Sequence, residues 1–229
     1  MRRLLCFLMI LSLFSFFSTV HASEQPQGYL ALTFDDGPSG EQTNRLLDGL
    51  KARGVQATFF VCAYRVWEHP ENLCRMASEG HEIGLHGCCH AYMHKMSYHE
   101  IAEDLVECRL AVTEVCGICP VLFRPPGGLS SHTLLCAAKD ENLRVILWSV
   151  DTLDWNRSAA RGAYRRILSQ AGDGEIILMH ELSEQSVDTA LKAIDKLQAD
   201  GFCFCTVSEL AARKNQILQP GKSYLRFGG

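Results

Sequence analysis

The residues able to do chemistry begin with an adjacent pair of carboxylates, Asp35 and Asp36, in the stretch Y-L-A-L-T-F-D-D-G-P over 29–38. The apolar start of this stretch suits a strand buried on both faces, which Gly37 and Pro38 end in a turn. Asp is depleted in strands, so propensity does not account for the pair, which could otherwise simply start the turn or cap a helix. Further along are His86 and His90, spaced i and i+4, which point the same way if that turn is helical. With one carboxylate they make a two-His-one-Asp set that leaves coordination positions open for water. Alone, such a histidine pair is an ordinary surface feature. Cys88 and Cys89 lie between them and offer soft ligands, although burial or a disulfide suits each better. Arg124 opens R-P-P-G-G, where Gly127 lets backbone N–H groups approach a ligand. His180 follows the apolar run 176–179 and becomes a candidate general acid if a carboxylate partners it. Asp151, Asp154 and Trp155 cluster in D-T-L-D-W.

The elements needed to position these residues alternate along the chain. Apolar strands are expected at 29–34, 57–61, 82–85, 121–124, 145–150, 175–179 and 202–206, with helices between them. Ser39 with Gln42 and Ser97 with Glu100 read as capping boxes, Ser158 as a cap, and Ser208 as the start of a last short helix. A helix is expected at 71–79, another at 133–141 and another at 187–200, and the tail from 219 reads as loop. About seven strands alternating with helices mean a parallel α/β domain, either an open doubly wound sheet or a closed barrel. In both, chemistry collects at the carboxyl ends of strands, where each polar group named above falls.

The chain has 229 residues and a formal net charge of −4, enough for one domain with a full core and without the basic excess of a nucleic-acid binder. Residues 1–22 read as an export signal: Arg2 and Arg3 precede an apolar run, and cleavage is expected after Ala22. An uncleaved N-terminal anchor is the alternative. The mature part, 23–229, would be one catalytic domain, with 213–229 a C-terminal tail, secreted or held in the cell envelope and free of the membrane. Ten of the eleven cysteines fall in it, which points to disulfides or to buried thiols. The Cys116–Cys119 C-x-x-C lies between a helix and a strand, the wrong context for a redox motif.

Taken in order, T-F-D-D-G-P, H-x-x-x-H, R-P-P, D-x-x-D-W and Leu178-Met179-His180 resemble the five motifs of the polysaccharide deacetylase family, the carbohydrate esterases of the NodB-homology type. Flanking G-H-E-I-G at 80–84 and T-V-S-E-L at 206–210 agree, and the resemblance covers about 28–212. It implies a distorted (β/α) barrel holding one divalent metal, usually zinc, with cobalt or another divalent ion as substitutes. The implied substrate is an N-acetylated glycan, peptidoglycan or a chitin-like oligosaccharide, from which acetyl groups are removed, and the implied state is a monomer. Carried over by motif, Asp36, His86 and His90 hold the metal, Asp35 is the base and Arg124 orients it. Asp151 pairs with His180, the acid, with Asp154 as the alternative partner. Gly127 supplies an oxyanion donor, while Trp155 and Leu178 wall the acetyl pocket. The chain departs from the family pattern at Gly87, where Ser or Thr is usual, and at Gly127, where an aromatic is usual. A glycan-binding relative with little turnover is the competing reading. A peptidase or deaminase of another class would need H-E-x-x-H, or H-x-E with P-C-x-x-C, and the sequence has neither.

Overall fold

Strand β1 (Gly28–Gly37) lies at the centre of a sheet in a computed structural model that describes residues 25–228. The expected signal segment and its cleavage point lie outside the described residues. The chain continues through α1 (Glu41–Ala52), β2 (Thr58–Val61), α2 (Ala63–Glu68), α3 (Pro70–Ser78), β3 (Glu82–Leu85) and α4 (Tyr98–Cys116). After these come β4 (Leu122–Phe123), α5 (His132–Asp140), β5 (Arg144–Ile146), β6 (Val150–Asp151) and α6 (Ala163–Gln170). The last elements are β7 (Ile176–His180), α7 (Glu184–Ala199), β8 (Phe202–Cys205), α8 (Val207–Arg213) and β9 (Ser223–Tyr224).

The strands pair in the order β6-β7-β1-β2-β3-β4-β5-β9, all parallel, and β8 adds to the first half of β1. β5 and β6 are separated only by residues 147–149, yet six strand spacings lie between them in this order. Laid flat, that distance would be about 29 Å. A link this short reaches about 14 Å. The sheet must therefore curl until its ends meet, which gives the distorted barrel implied by the motifs.

Where one long strand was expected over 145–150, the structure has two short ones. The carbonyls of Ile146 and Leu147 are turned to the Arg124 guanidinium (3.0 and 2.9 Å), and the chain crosses the seam there. The tail is also more ordered than its sequence implies. β9 pairs with β5, Arg226 bridges to Glu175, and the Phe227 N–H donates to the Gly174 carbonyl at 2.9 Å. Residues 222–228 thus strap the seam, with Phe227 buried inside.

Local signals performed unevenly. The Ser97–Glu100 capping box forms at α4, and Thr206 with Glu209 makes a second at α8. At α1 the cap is Gly40, because the Ser39 hydroxyl instead donates to the Glu181 carbonyl at 2.9 Å. Ser158 is not a cap either: a short 3₁₀ turn, Ala160–Gly162, leads into α6. α2 was not foreseen at all. All ten cysteines among the described residues are free thiols, and Cys62, Cys108 and Cys205 are buried, which matches the second of the two expectations for those three. No helix of the described residues is long and apolar enough to cross a membrane.

Two-residue alternation sorts the sheet into faces. Leu30, Leu32 and Phe34 of β1 pack outward under the helices, in the main core with Phe59, Leu46 and Ile194. Ala31 faces inward with Phe60, Leu122, Ile146 and Ile176. Continuing those inward positions along each strand gives Thr33 and Asp35, Arg124, then Leu178 and His180. The barrel interior is therefore apolar below and becomes the site at its carboxyl end.

Candidate active site

Asp35 is 3% exposed and receives the Arg124 Nη1 at 2.7 Å on its Oδ1. The same guanidinium donates to the Thr33 hydroxyl at 2.8 Å and lies over the Phe60 ring, 4.1 Å from its centre. Each Arg124 guanidinium nitrogen is thus held by the strands around it, which leaves Asp35 Oδ2 facing the cavity, 3.7 Å from His86 Nε2.

Simple alternation would send Asp36 to the opposite face from Asp35. It does not, because the β1–β2 register slips between Asp35 and Gly37 and Asp36 takes a left-handed backbone, φ 72°. A bulge of this kind re-aims one side chain, and here it turns both carboxylates to one mouth. His86 directly follows β3, and its Nδ1–H donates to the Arg124 carbonyl at 2.7 Å, so Nε2 keeps its lone pair for the cavity. His90 reaches the same point from a loop rather than from a helical turn. Gly87 (φ 81°) and His90 (φ 59°) both bend left-handedly, and Cys88 N–H is held by Asp104 at 2.9 Å. A Cβ at Gly87 would stand 2.7 Å from the Met93 methyl, so this loop is built for glycine where the family usually carries a hydroxyl.

The ligand atoms of Asp36, His86 and His90 lie within 4.8 Å of one another. Asp36 Oδ1 is 3.2 Å from His86 Nε2 and 3.4 Å from His90 Nε2, yet it is buried with no hydrogen-bond partner. An orphaned carboxylate oxygen facing two imidazole lone pairs fits a divalent cation. Burial alone would raise the Asp36 pKa, but the three surrounding histidines, His86 foremost, lower it and keep it anionic. Neither Cys88 nor Cys89 belongs to the set.

His180 faces the group from β7, with its Nε2 4.0 Å from Asp36 Oδ2. Its partner is Asp154, not Asp151: Nδ1 lies 2.8 Å from Asp154 Oδ1, and the His180 backbone N–H donates to Oδ2 at 2.9 Å. The Asp151 Oδ1 instead accepts from the Leu153 N–H at 2.9 Å, starting the turn that carries Asp154 inward. Asp151 still lines the cavity. Burial opposes charge on His180, but the bond and charge of Asp154, with Asp35 and Asp36 beyond, raise its pKa to about 9. The imidazolium is therefore held below about pH 9 and lost above it. Replacing Asp154 by Asn should move the alkaline limb of a kcat/KM profile down by at least about one pH unit and lower the rate ~100-fold. Asp151→Asn should leave that limb where it is, and the reverse pattern would reinstate Asp151.

The cavity is about 270 Å³, and Gly127, Trp155 and Leu178 are among its lining residues. Tyr92 and Trp148 line it too and were not foreseen. A Cβ at Gly127 (φ 69°) would come 2.8 Å from the Tyr92 ring, so Tyr92 supplies, from another loop, an aromatic wall beside the position that lost one. Trp148, within the strand expected over 145–150, packs over Gly128 in the same way.

Glu181 was also missed as more than a neighbour of His180. It turns away from the cavity, fully buried, with both carboxylate oxygens unpartnered, and fills the space a side chain at Gly37 would need. Burial pushes its pKa from the ordinary 4.5 up to about 8. A raised acid of this kind stabilises the fold below its unfolded pKa, and the contribution is lost as pH rises through the folded pKa. The metal-free chain should thus melt lower at pH 8 than at pH 5, by a difference on the order of a few kcal/mol. Glu181→Gln should flatten that slope, and an unchanged slope would contradict this reading.

The sequence profile of the polysaccharide deacetylase family matches residues 22–146, and the chain belongs to this family. It is 38% identical over 190 residues to the Bacillus subtilis peptidoglycan-N-acetylmuramic acid deacetylase PdaC, covering 83% of this chain and 40% of that protein. It is 36% identical over 211 residues to the Listeria monocytogenes peptidoglycan-N-acetylglucosamine deacetylase PgdA, covering 90% of this chain and 44% of that one. The chain thus spans about two-fifths of the length of these curated relatives. Among solved structures, a family 4 acetyl xylan esterase from Clostridium thermocellum in complex with a cobalt ion superposes with a TM-score of 0.81. It is 30% identical, and the match covers 86% of this chain and 98% of that one.

Proposed function

We propose that this chain is an exported, metal-dependent N-deacetylase that removes acetyl groups from the amino sugars of peptidoglycan or chitin-like glycans, acting as a monomer. The observation that carries the reading is the joint presence of a three-residue cation set, an arginine-held carboxylate and a carboxylate-held histidine around one cavity. A protein that only bound glycan would need neither a base nor an acid, which weighs against the binding-only alternative. The relatives named as peptidoglycan deacetylases support the substrate class, and the cobalt-bound esterase supports a divalent ion.

Asp36, His86 and His90 would hold the ion, zinc in our reading, which supplies Lewis acidity to oxygen atoms at the cavity mouth. Asp35 Oδ2 faces that mouth and takes a proton from the attacking water as its oxygen bonds to the acetyl carbon. Arg124 holds Asp35 in place. The carbonyl oxygen gathers charge toward the backbone at Gly127, a stabilisation of about 3–4 kcal/mol per donor in such sites. His180 Nε2–H then gives its proton to the amine nitrogen as the carbon–nitrogen bond breaks, so water and amide yield acetate and a free amine. Asp154 holds the His180 ring in that orientation, while Trp155, Leu178, Tyr92 and Trp148 exclude bulk water from the acetyl group.

The test is Asp36→Ala, with metal content and acetate release measured together. Both should fall, release by about a thousandfold or more. An Asp36→Ala protein that releases acetate at the unaltered rate overturns the proposal.

A further inference from the structure

A second cavity, about 320 Å³, opens on the far side of Trp155 and is separate from the catalytic one, yet it shares two lining residues with it, Trp155 and His180. Both volumes lie near the lower end of small-ligand sites, about the room for one sugar each. Together they form a groove running past the acid. Trp155 is 60% exposed and Leu182 is 41% exposed, an apolar ledge along the two hollows, as suits the faces of successive pyranose rings.

The far hollow differs from the catalytic one in its charge. Arg157 lines it, and its guanidinium takes no hydrogen bond or ion pair among the described residues. The other polar side chains there are His180, shared with the catalytic cavity, and the neutral Ser183, Gln185 and Ser186. The carboxylate of Asp154 also borders the hollow, but both its oxygens are occupied by His180. The loop holding Arg157 is braced. The Asn156 side chain accepts from the Ser158 and Ala159 N–H groups (3.0 and 3.3 Å), and Arg166 donates to the Thr152 carbonyl at 2.8 Å and to that of Ala159. An unpaired guanidinium on a braced loop, one sugar away from the reacting acetyl, is a receptor for a carboxylate.

We infer that this hollow is a subsite for the neighbouring sugar of an acidic glycan, with Arg157 binding a carboxylate that the sugar carries. Resting on the deacetylase reading above, this selects peptidoglycan strands freed of their stem peptides, whose alternate sugars bear a free lactyl ether carboxylate, over neutral chitin-like oligomers. Arg157 touches no reacting atom, so it sets specificity and not rate.

The test uses the full chain, zinc-loaded, on one peptidoglycan-derived tetrasaccharide in two forms, with its carboxylates free and with them converted to methyl esters. The unaltered protein should favour the free acid by about tenfold in kcat/KM, through KM, and the preference should shrink as salt is added. Arg157→Gln should abolish the preference and Arg157→Lys should restore part of it. Equal kcat/KM on the two forms, or a preference that survives Arg157→Gln, overturns the subsite. Absence of acetate release from every glycan would instead sink the deacetylase reading. In that case calorimetric binding of the two forms to the unaltered and Arg157→Gln proteins still decides the subsite by the same comparison.

Discussion

Asp35→Asn should keep its metal and lose its turnover. The proposed cation set is Asp36, His86 and His90, none of which the substitution touches, so metal content after purification should stay at the unaltered level. The amide keeps the shape of the side chain but accepts no proton from water, and general-base removal costs about 10²–10⁴ in rate. Acetate release should therefore fall about a thousandfold in kcat, with a much smaller change in KM. Arg124 would then face a neutral partner, so a modest fall in melting temperature accompanies the loss of activity. Metal loss in Asp35→Asn would exchange the roles of the two adjacent carboxylates. Undiminished release would remove Asp35 from the chemistry altogether.

The second large effect is on folding as much as on catalysis. Arg124 has no exposed surface and binds Asp35, Thr33 and the carbonyls of Ile146 and Leu147. Arg124→Ala strands a buried carboxylate and two carbonyls at the seam of the barrel. Breaking a buried pair from one side costs about 3–5 kcal/mol. For a domain of this size that is a melting-temperature fall of roughly 10 °C. Burial works against the Arg124 charge and Asp35 opposes that loss, so the pair stands or falls together. Arg124→Lys keeps a charge but not the planar fork, and should recover part of the stability and little of the rate. Calorimetry and acetate release on the same samples check both, and a melting point unchanged in Arg124→Ala would contradict the structural role.

What was legible in the sequence is what depends on pattern. Apolar runs ending in polar residues gave the strands, and their carboxyl ends gave the rim on which Asp35, His86, Arg124 and His180 meet. What was not legible depends on single backbone torsions. Asp36 reaches the mouth only through a bulge and a left-handed residue, which alternation alone would deny. The His86–His90 spacing suits a helical turn, yet the pair converges through a loop bent at Gly87. Asp151 and Asp154 have the same side chain and nearby positions, and a turn closed by the Leu153 N–H decides which one reaches His180. The break between β5 and β6 and the strap at 222–228 both follow from closing the barrel, a long-range event that no local window records. Tyr92 stands opposite Gly127 for the same reason, since only the folded loops bring the ring to the gap.

The central claim is tested most directly by mass spectrometry of a defined N-acetylglucosamine oligomer and of a peptidoglycan fragment, each incubated with the zinc-loaded chain, the chelated chain and the chelated chain resupplied with zinc. The account predicts one acetyl group lost per event, with one free amine and one acetate formed, abolished by chelation and restored by zinc. Intact acetyl groups on both glycans with zinc bound, or equal release with and without the metal, would contradict it.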